Sequence, residues 1–372
     1  MHQIQREQTH ALLRDRHIDQ AVFARPESVT WLTGFAVPVQ TGPNLFAASY
    51  PLVWYDGGQF TLIVVDSYAD LAAPFAKEAD GLLVTYPGNT VDRPIAGGAN
   101  LLAAFSALPD NNSSRLHIGV EREFVSDLIT EQLREHAVVA IDHWLEPLRM
   151  IKTPEELEKL RRNFGLTDIG HVAARAATVA GAREIDVWIA AHSAIQAAAG
   201  LPVPLGNDCI MGRRSWNVGG WPGDLELKAH DSLLVDLCVI LDGYWSDSCA
   251  TYYVGERTDQ QDKMHQMIEQ ALDFAAGLIR PGVVAKDIDQ QTRAYIAGAG
   301  YSVYPHHTGH AVGVSGHEAP RIVPYNDEVL QAGMVIMLEP GTYFPGVTGV
   351  RLEDGFLVTA TGAEKMTHHD KS

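Results

Sequence analysis

Apolar positions recur along this chain with two periods, one helical and one strand-like. In the first 150 residues a polar, helix-like stretch at Gln5–Arg16 is followed by apolar strands at Gln20–Ala24 and Gln59–Val65. Turn signals stand at Thr41-Gly42-Pro43-Asn44, Asp56-Gly57-Gly58 and Pro87-Gly88-Asn89, and Gly97-Gly98 precedes another helix-like stretch. This alternation predicts an α/β domain in which no residue stands out as a site. A boundary falls at Ile151–Glu156, dividing the chain into domains 1–150 and 151–372. Thr153 as N-cap, Pro154 at the first helical position and Glu156 three residues after the cap form a capping box, so a long helix starts there.

Beyond the boundary, His171–Ala182 and Val187–Ala199 keep apolar residues at helical spacing. Each holds one isolated histidine, His171 or His192, that reads as structural rather than as a ligand. Met264, Met267, Ile268, Ala271, Leu272, Ala275 and Leu278 mark one buried helix face that stops at Arg280-Pro281-Gly282. A second helix from about Asp287 to Ala297 stops at Gly298-Ala299-Gly300.

Two strand pairs of this half carry the chemistry. Asp236 sits inside Ser232–Leu241, a run that otherwise reads as a buried strand, where an unpaired carboxylate is costly. Asp242-Gly243 is a hairpin signal, and the returning segment Tyr244–Val254 carries Asp247, so two carboxylates face each other across a ribbon. The device recurs where Val335–Leu338 leads into Glu339 and Gly349–Gly355 returns with Glu353. Between the hairpins lies a glycine-rich run with His306, His310 and His317. Four carboxylates and one histidine make a mostly hard-oxygen set suited to a pair of divalent ions, Mn²⁺, Fe²⁺, Co²⁺ or Zn²⁺. Two such ions can hold a water as hydroxide, polarise a carbonyl and neutralise a tetrahedral intermediate.

Composition narrows the partners. With 46% hydrophobic and 20% charged residues, the 372-residue chain is an ordinary globular one. It holds 28 Lys and Arg against 46 Asp and Glu, a net charge of −18 with no basic cluster, so neither nucleic acid nor a membrane surface is an expected partner. Its longest apolar runs, Phe60–Val65 and Leu233–Leu241, fall far short of the roughly 18 residues that span a bilayer. The opening residues lack a signal-peptide pattern, and Cys209, Cys238 and Cys249 lack Cys-x-x-Cys spacing. A cytoplasmic protein is expected.

The spacing of Asp236 and Asp247, His310 flanked by His306 and His317, Glu339-Pro340-Gly341 and Arg351–Asp354 resembles the metal motif of the creatinase, prolidase, aminopeptidase P and methionine aminopeptidase superfamily. All five ligand types match. The resemblance covers about 150–372, the pita-bread domain, and extends more weakly to a creatinase-like N-terminal α/β domain through Ile18-Asp19 and Thr30–Phe35, with Leu148–Pro154 similar to the joint. It implies that Asp236 chelates one metal, that Asp247 and Glu353 bridge both, and that His310 and Glu339 complete the other, with Glu339 also the general base. It implies further that His306 and His317 hydrogen-bond the substrate or the developing oxyanion, that Arg351 orients the bridging carboxylates, that manganese is the first candidate metal with zinc, cobalt or iron next, and that the chain is a homodimer.

The chain departs from the family pattern in three places. Family peptidases usually carry a further histidine before the first aspartate, contacting the scissile amide, whereas Met211–Trp221 has Gly219 or Gly220 there. Arg213, Arg214 and Trp216 are nearby candidates to replace it. Cys238 and Cys249 each follow an aspartate by two residues, either as small buried fillers or as thiols beside the metals. Ala250 replaces the arginine common after the second aspartate, with Trp245 adding bulk. Three functions follow. The first is an Xaa-Pro-type aminopeptidase or dipeptidase acting through a metal-bridging hydroxide on a peptide. The second is a hydrolase of a small non-peptide amide, or a lyase, on the same fold. The third, a catalytically inactive binding module, fits poorly with an intact ligand set.

Overall fold

A computed structural model describes residues 2–37, 50–88, 97–108, 115–344 and 346–371. The turn predicted at Thr41–Asn44 and the last residue of the Pro87–Asn89 turn lie outside the described residues. The chain falls into two units, Met1–Leu148 and Arg149–Ser372.

The first unit is built on six strands, β1 (Gln20–Phe23), β2 (Leu52–Asp56), β3 (Gln59–Val65), β4 (Gly81–Tyr86), β5 (His117–Val120) and β6 (Ala137–Ala140). They form one mixed sheet in the order β4-β3-β2-β1-β5-β6. The predicted first helix spans Gln3–Asp15, and another covers Gly97–Ser106, starting at the glycine pair itself. Val22, Ile63, Ile118 and Val120 are fully or almost fully buried from this sheet, with Leu101 and Phe105 of the second helix packed over them. Glu121 is also buried here; its carboxylate accepts from the backbone N–H groups of Ala24 and Arg25, just ahead of the Pro26–Thr33 helix.

The second unit repeats one plan, a helix pair over a sheet. Its first long helix, Pro154–Ala177, opens on the expected box: Thr153 Oγ1 accepts from Glu156 N, and Glu156 Oε2 accepts from Thr153 N at 2.9 Å. The helix stops at Thr178, short of Ala182, because the chain turns through Gly181 at φ 87° before the helix Glu184–Ala199. Against these helices lie β7 (Leu205–Met211), β8 (Ser232–Leu241), β9 (Tyr244–Trp245) and β10 (Cys249–Tyr253). β8 is central, antiparallel to β7 on one side and β10 on the other, with β9 on its end. Asp242 and Gly243 both take positive φ, 54° and 76°, which is the turn that matches a hairpin's twist.

The second half has helices Asp259–Leu278 and Ala285–Gly298. Its strands are β11 (Gly309–Ala311), β12 (Glu318–Ile322), β13 (Val335–Leu338), β14 (Gly341–Phe344), β15 (Thr348–Arg351), β16 (Asp354–Val358) and β17 (Ala363–Lys365). Five of them run β12-β11-β13-β16-β17, and β14 and β15 form a separate ribbon. Met264, Met267 and Ile268 are buried in the core between the helices and this sheet, as the helical spacing predicts. Fully burying one such side chain stabilises by about 1.5–3 kcal/mol, so the apolar stripe is what seats the helix on the sheet.

Candidate metal centre

Strand alternation aims the first carboxylate. Along β8, Val235, Leu237 and Val239 point into the helix-side core, which leaves Asp236 and Cys238 on the opposite face. Asp247 lies between β9 and β10, where pairing continues through Ser246 N to Val239 O and a reciprocal pair between Leu237 and Ser248. It therefore stands opposite Cys238, whose thiol donates to Asp247 Oδ1 at 3.2 Å, while Asp236 stands opposite Cys249.

The second pair arises in the same way. Leu338 of β13 pairs with Asp354 of β16, so the residues just beyond them, Glu339 and Glu353, project together. Glu339 N donates to Thr308 O, and Glu353 N donates to Cys249 O at 2.8 Å, which ties the two halves at the site. His310, paired with Met337 across β11 and β13, brings its Nε2 to 3.7 Å from Asp247 Oδ2, 3.7 Å from Glu339 Oε1 and 3.8 Å from Glu353 Oε1. Asp236, Asp247, His310, Glu339 and Glu353 thus line one cleft of ≈ 380 Å³.

Electrostatics show that the cluster is short of positive charge. Burial, and then the neighbouring carboxylates, push Asp247 and Glu353 well above the usual carboxylate range. Burial likewise lifts Asp236 to about 6 even though the Arg351 guanidinium opposes it. Burial would raise Glu339 too, but the His307 hydrogen bond and the surrounding imidazoles outweigh it and hold Glu339 at about 2. Burial lowers His310 to about 3 and His306 to about 4, so both rings are neutral, the form that binds metal. Asp236 Oδ1 and Glu353 Oε1 are buried with no hydrogen-bond partner. Ligand atoms of Asp247, His310 and Glu353, and separately of Asp236, Cys238 and Asp247, lie within 4.8 Å of one another. Orphaned carboxylate oxygens beside a neutral imidazole are the donor set that divalent ions satisfy, and the residues fit them.

Around this centre Arg351 donates to Asp236 Oδ2 at 2.6 Å and to Asp208 Oδ2 at 3.2 Å, so its guanidinium holds these two acids and not Asp247 and Glu353, the pair it was expected to orient. His306 Nε2 meets the Tyr343 hydroxyl at 2.9 Å, and the His317 ring lies 4.1 Å from that of His310. His307 Nε2 is 2.6 Å from Glu339 Oε1. Sequence spacing does not single out His307, although the adjacent His306 offered a signal, nor Asp208, which sits in an unremarkable strand.

Several expected neighbours lie elsewhere. Arg214 pairs with Glu184 and donates to Trp221 O, and Arg213 reaches Glu226 O, so neither side chain enters the cleft. The Trp216 side chain lies outside the described residues. Of the two thiols, Cys238 lines the cleft beside Asp247, whereas Cys249, opposite Asp236, is buried among Ile210, Leu234 and Tyr343 as a small apolar filler. Ala250 faces the helix-side core opposite Val235, and Trp245 packs against Gly316. His171 is structural as expected, its two ring nitrogens bonded to the Tyr252 hydroxyl and Ser248 O.

Comparison with known proteins agrees with this geometry. The model of metallopeptidase family M24 matches residues 158–360, and that of the creatinase/prolidase N-terminal domain matches residues 5–151. A putative dipeptidase of Bacillus subtilis (strain 168), YkvY, is 35% identical over 271 residues, 71% of this chain and 74% of its own. An uncharacterized peptidase of Staphylococcus aureus (strain USA300) is 29% identical over 367 residues, 96% of this chain and 97% of its own. Among solved structures, the prolidase from Pyrococcus furiosus superposes with TM-score 0.79 at 27% identity, covering 97% of this chain and 99% of that one. The Xaa-Pro dipeptidase from Bacillus anthracis reaches 0.83 over 99% of both chains, and at 23% identity it shows the shared fold.

Proposed function

The chain belongs to metallopeptidase family M24, with the creatinase-like N-terminal domain and pita-bread catalytic domain of that family, and we propose that it is a dinuclear-metal Xaa-Pro-type aminopeptidase or dipeptidase. The observation that carries this reading is the convergence of Asp236, Asp247, His310, Glu339 and Glu353 on one cleft with carboxylate oxygens left unpartnered. In the proposal Asp236 would hold one ion, His310 and Glu339 the other, and Asp247 and Glu353 would be shared between them. When bound, the ions supply Lewis-acid polarisation of the scissile carbonyl and an activated water. Glu339, ionised at the cleft wall, would be the general base, and its contact with His307 would have to give way before it takes a proton. His317, as a neutral imidazole, would donate to the carbonyl oxygen as charge develops on it, whereas His306, whose Nδ1–H is taken by His307 O, would accept an N–H of the substrate at Nε2 in place of the Tyr343 hydroxyl. Arg351 would orient Asp236 through the hydrogen bond to its Oδ2. Manganese is the first candidate metal, with zinc, cobalt and iron next, and a cytoplasmic homodimer is the proposed assembly.

Metal content measured on the purified protein, followed by assay of the Mn²⁺-, Co²⁺- and Zn²⁺-loaded forms on Xaa-Pro dipeptides and longer peptides, tests the reading. Two ions per chain with cleavage is expected, and Asp247→Ala or Glu353→Ala should lose both metal and activity because each would be shared by both ions. A mutant that keeps two ions overturns the bridging roles. The second reading, a small-amide hydrolase or lyase, is favoured by Gly219 or Gly220 standing where family peptidases carry a histidine; two ions with no peptide cleavage would select it.

A further inference from the structure

Asp208 is the carboxylate of the cleft that no metal role absorbs. It lies on β7 directly across from Asp236, lines the same cleft, and its side chain is 32% exposed against 16% for Asp236 and 2% for Glu353. It is also held in place. Gly220 N donates to Asp208 Oδ1 at 2.8 Å, while Oδ2 shares the Arg351 guanidinium with Asp236.

The loop before Gly220 is shaped around this carboxylate. A Cβ at Gly219 would sit 1.8 Å from Asp208 Oδ2, so the acid occupies the space that any side chain at 219 would need. Val218, a β-branched residue, takes φ 73° and turns its carbonyl onto Arg351 Nη1 at 2.7 Å. Backbone strain of that kind persists only where surrounding contacts enforce it.

Charge decides what such a group recognises. Asp208, Asp236, Asp247, Glu339 and Glu353 face one guanidinium, Arg351, among the described residues lining the cleft. Two divalent ions would balance the four remaining negative charges, and the hydroxide they hold would leave the cleft with one negative charge that a cleft lacking Asp208 would not have. An ionised carboxylate accepts hydrogen bonds and donates none.

Resting on the reading of this cleft as the substrate site, we propose that Asp208 is a specificity-determining residue, an anionic subsite that receives a positively charged N–H donor of the substrate, an ammonium or guanidinium group. The pocket thereby selects cationic over anionic ligands beside the metal centre.

Calorimetric titration of the full-length, Mn²⁺-loaded protein with an n-alkylammonium ion and the matching alcohol and carboxylate tests this without requiring any bond to be cut. A charge-assisted hydrogen bond predicts about ten- to a hundredfold preference for the ammonium ion over the alcohol. Asp208→Asn, which preserves shape, should bring that ratio close to one while two ions per chain remain bound. Gly219→Ala, which displaces the carboxylate without removing it, should do the same. An equal ratio in wild type and Asp208→Asn overturns the assignment, and so does loss of an ion in that variant, which would make Asp208 part of the metal cradle. Failure to cleave Xaa-Pro peptides with the ammonium preference intact rejects the peptidase reading alone.

Discussion

Gly309 shows how little room the site leaves at a single residue. A Cβ there would meet the Met337 carbonyl oxygen at 2.0 Å, because β11 runs against β13 beside His310. Gly309→Ala should therefore push the histidine strand off its neighbour, costing about 1–3 kcal/mol from overpacking and weakening metal binding at least as strongly. Denaturant unfolding together with a metal titration checks it, and a variant with wild-type affinity for both ions would contradict it. The thiols behave differently from reactive cysteines. Burial raises Cys249 and Cys209 above the ordinary thiol range, so neither should react with a thiol reagent in the native protein, and both should react once it is unfolded.

Among the elements, the segment after β17 does more than finish the sheet. Lys371 Nζ donates to Glu353 O at 2.6 Å and to Cys249 O at 3.4 Å, and it pairs with Asp354 at 3.0 Å. It thus grips the backbone of both hairpins beneath the metal ligands. His369, bonded to Asp168 at 2.9 Å and stacked 3.8 Å over His171, pins the same segment to the Pro154–Ala177 helix. Lys371→Met should loosen Glu353 without touching a ligand, lowering metal affinity roughly tenfold for a lost charged hydrogen bond, with Lys371→Arg restoring part of it. The visible spectrum of the Co²⁺-loaded form reads the ligand geometry directly; an unchanged spectrum and affinity in Lys371→Met would argue against the grip.

For the whole molecule, the buried carboxylates couple folding to both pH and metal. Asp236, lifted by burial to about 6 in the fold from an ordinary aspartate's 3.8, holds a proton that the unfolded chain releases. An acid raised on folding contributes stability at low pH and loses it as pH climbs, so the metal-free protein should weaken from pH 4 to beyond 6, on the order of 3 kcal/mol from Asp236 alone. Asp247 and Glu353, also raised, act in the same direction. Bound divalent ions favour the ionised carboxylates and oppose that loss. The melting temperatures of loaded and chelated protein should therefore diverge between pH 4 and 7 by differential scanning calorimetry, and a constant gap would show that these acids are not linked to folding.

Local chemistry made much of this legible. The capping box at Thr153, the β8 strand around Asp236, the Asp242-Gly243 turn and the buried face from Met264 to Ala275 all follow from neighbours a few residues apart, because capping, pleat alternation and helical spacing act at short range. Of the four carboxylates expected as ligands, only Asp236 is set by the strand that carries it; Asp247, Glu339 and Glu353 stand just outside strand ends, where the pairing of neighbouring strands aims them. Only the tertiary structure decided which side chains share the cleft. It buried Cys249 and Ala250, turned Arg213 and Arg214 away, and brought His307, Asp208 and Lys371 to the site from segments far apart in sequence. Those choices depend on which sheets meet and at what register, and a carboxylate such as Asp208 acquires its meaning only when Gly219, 132 residues before Arg351 in sequence, leaves it room.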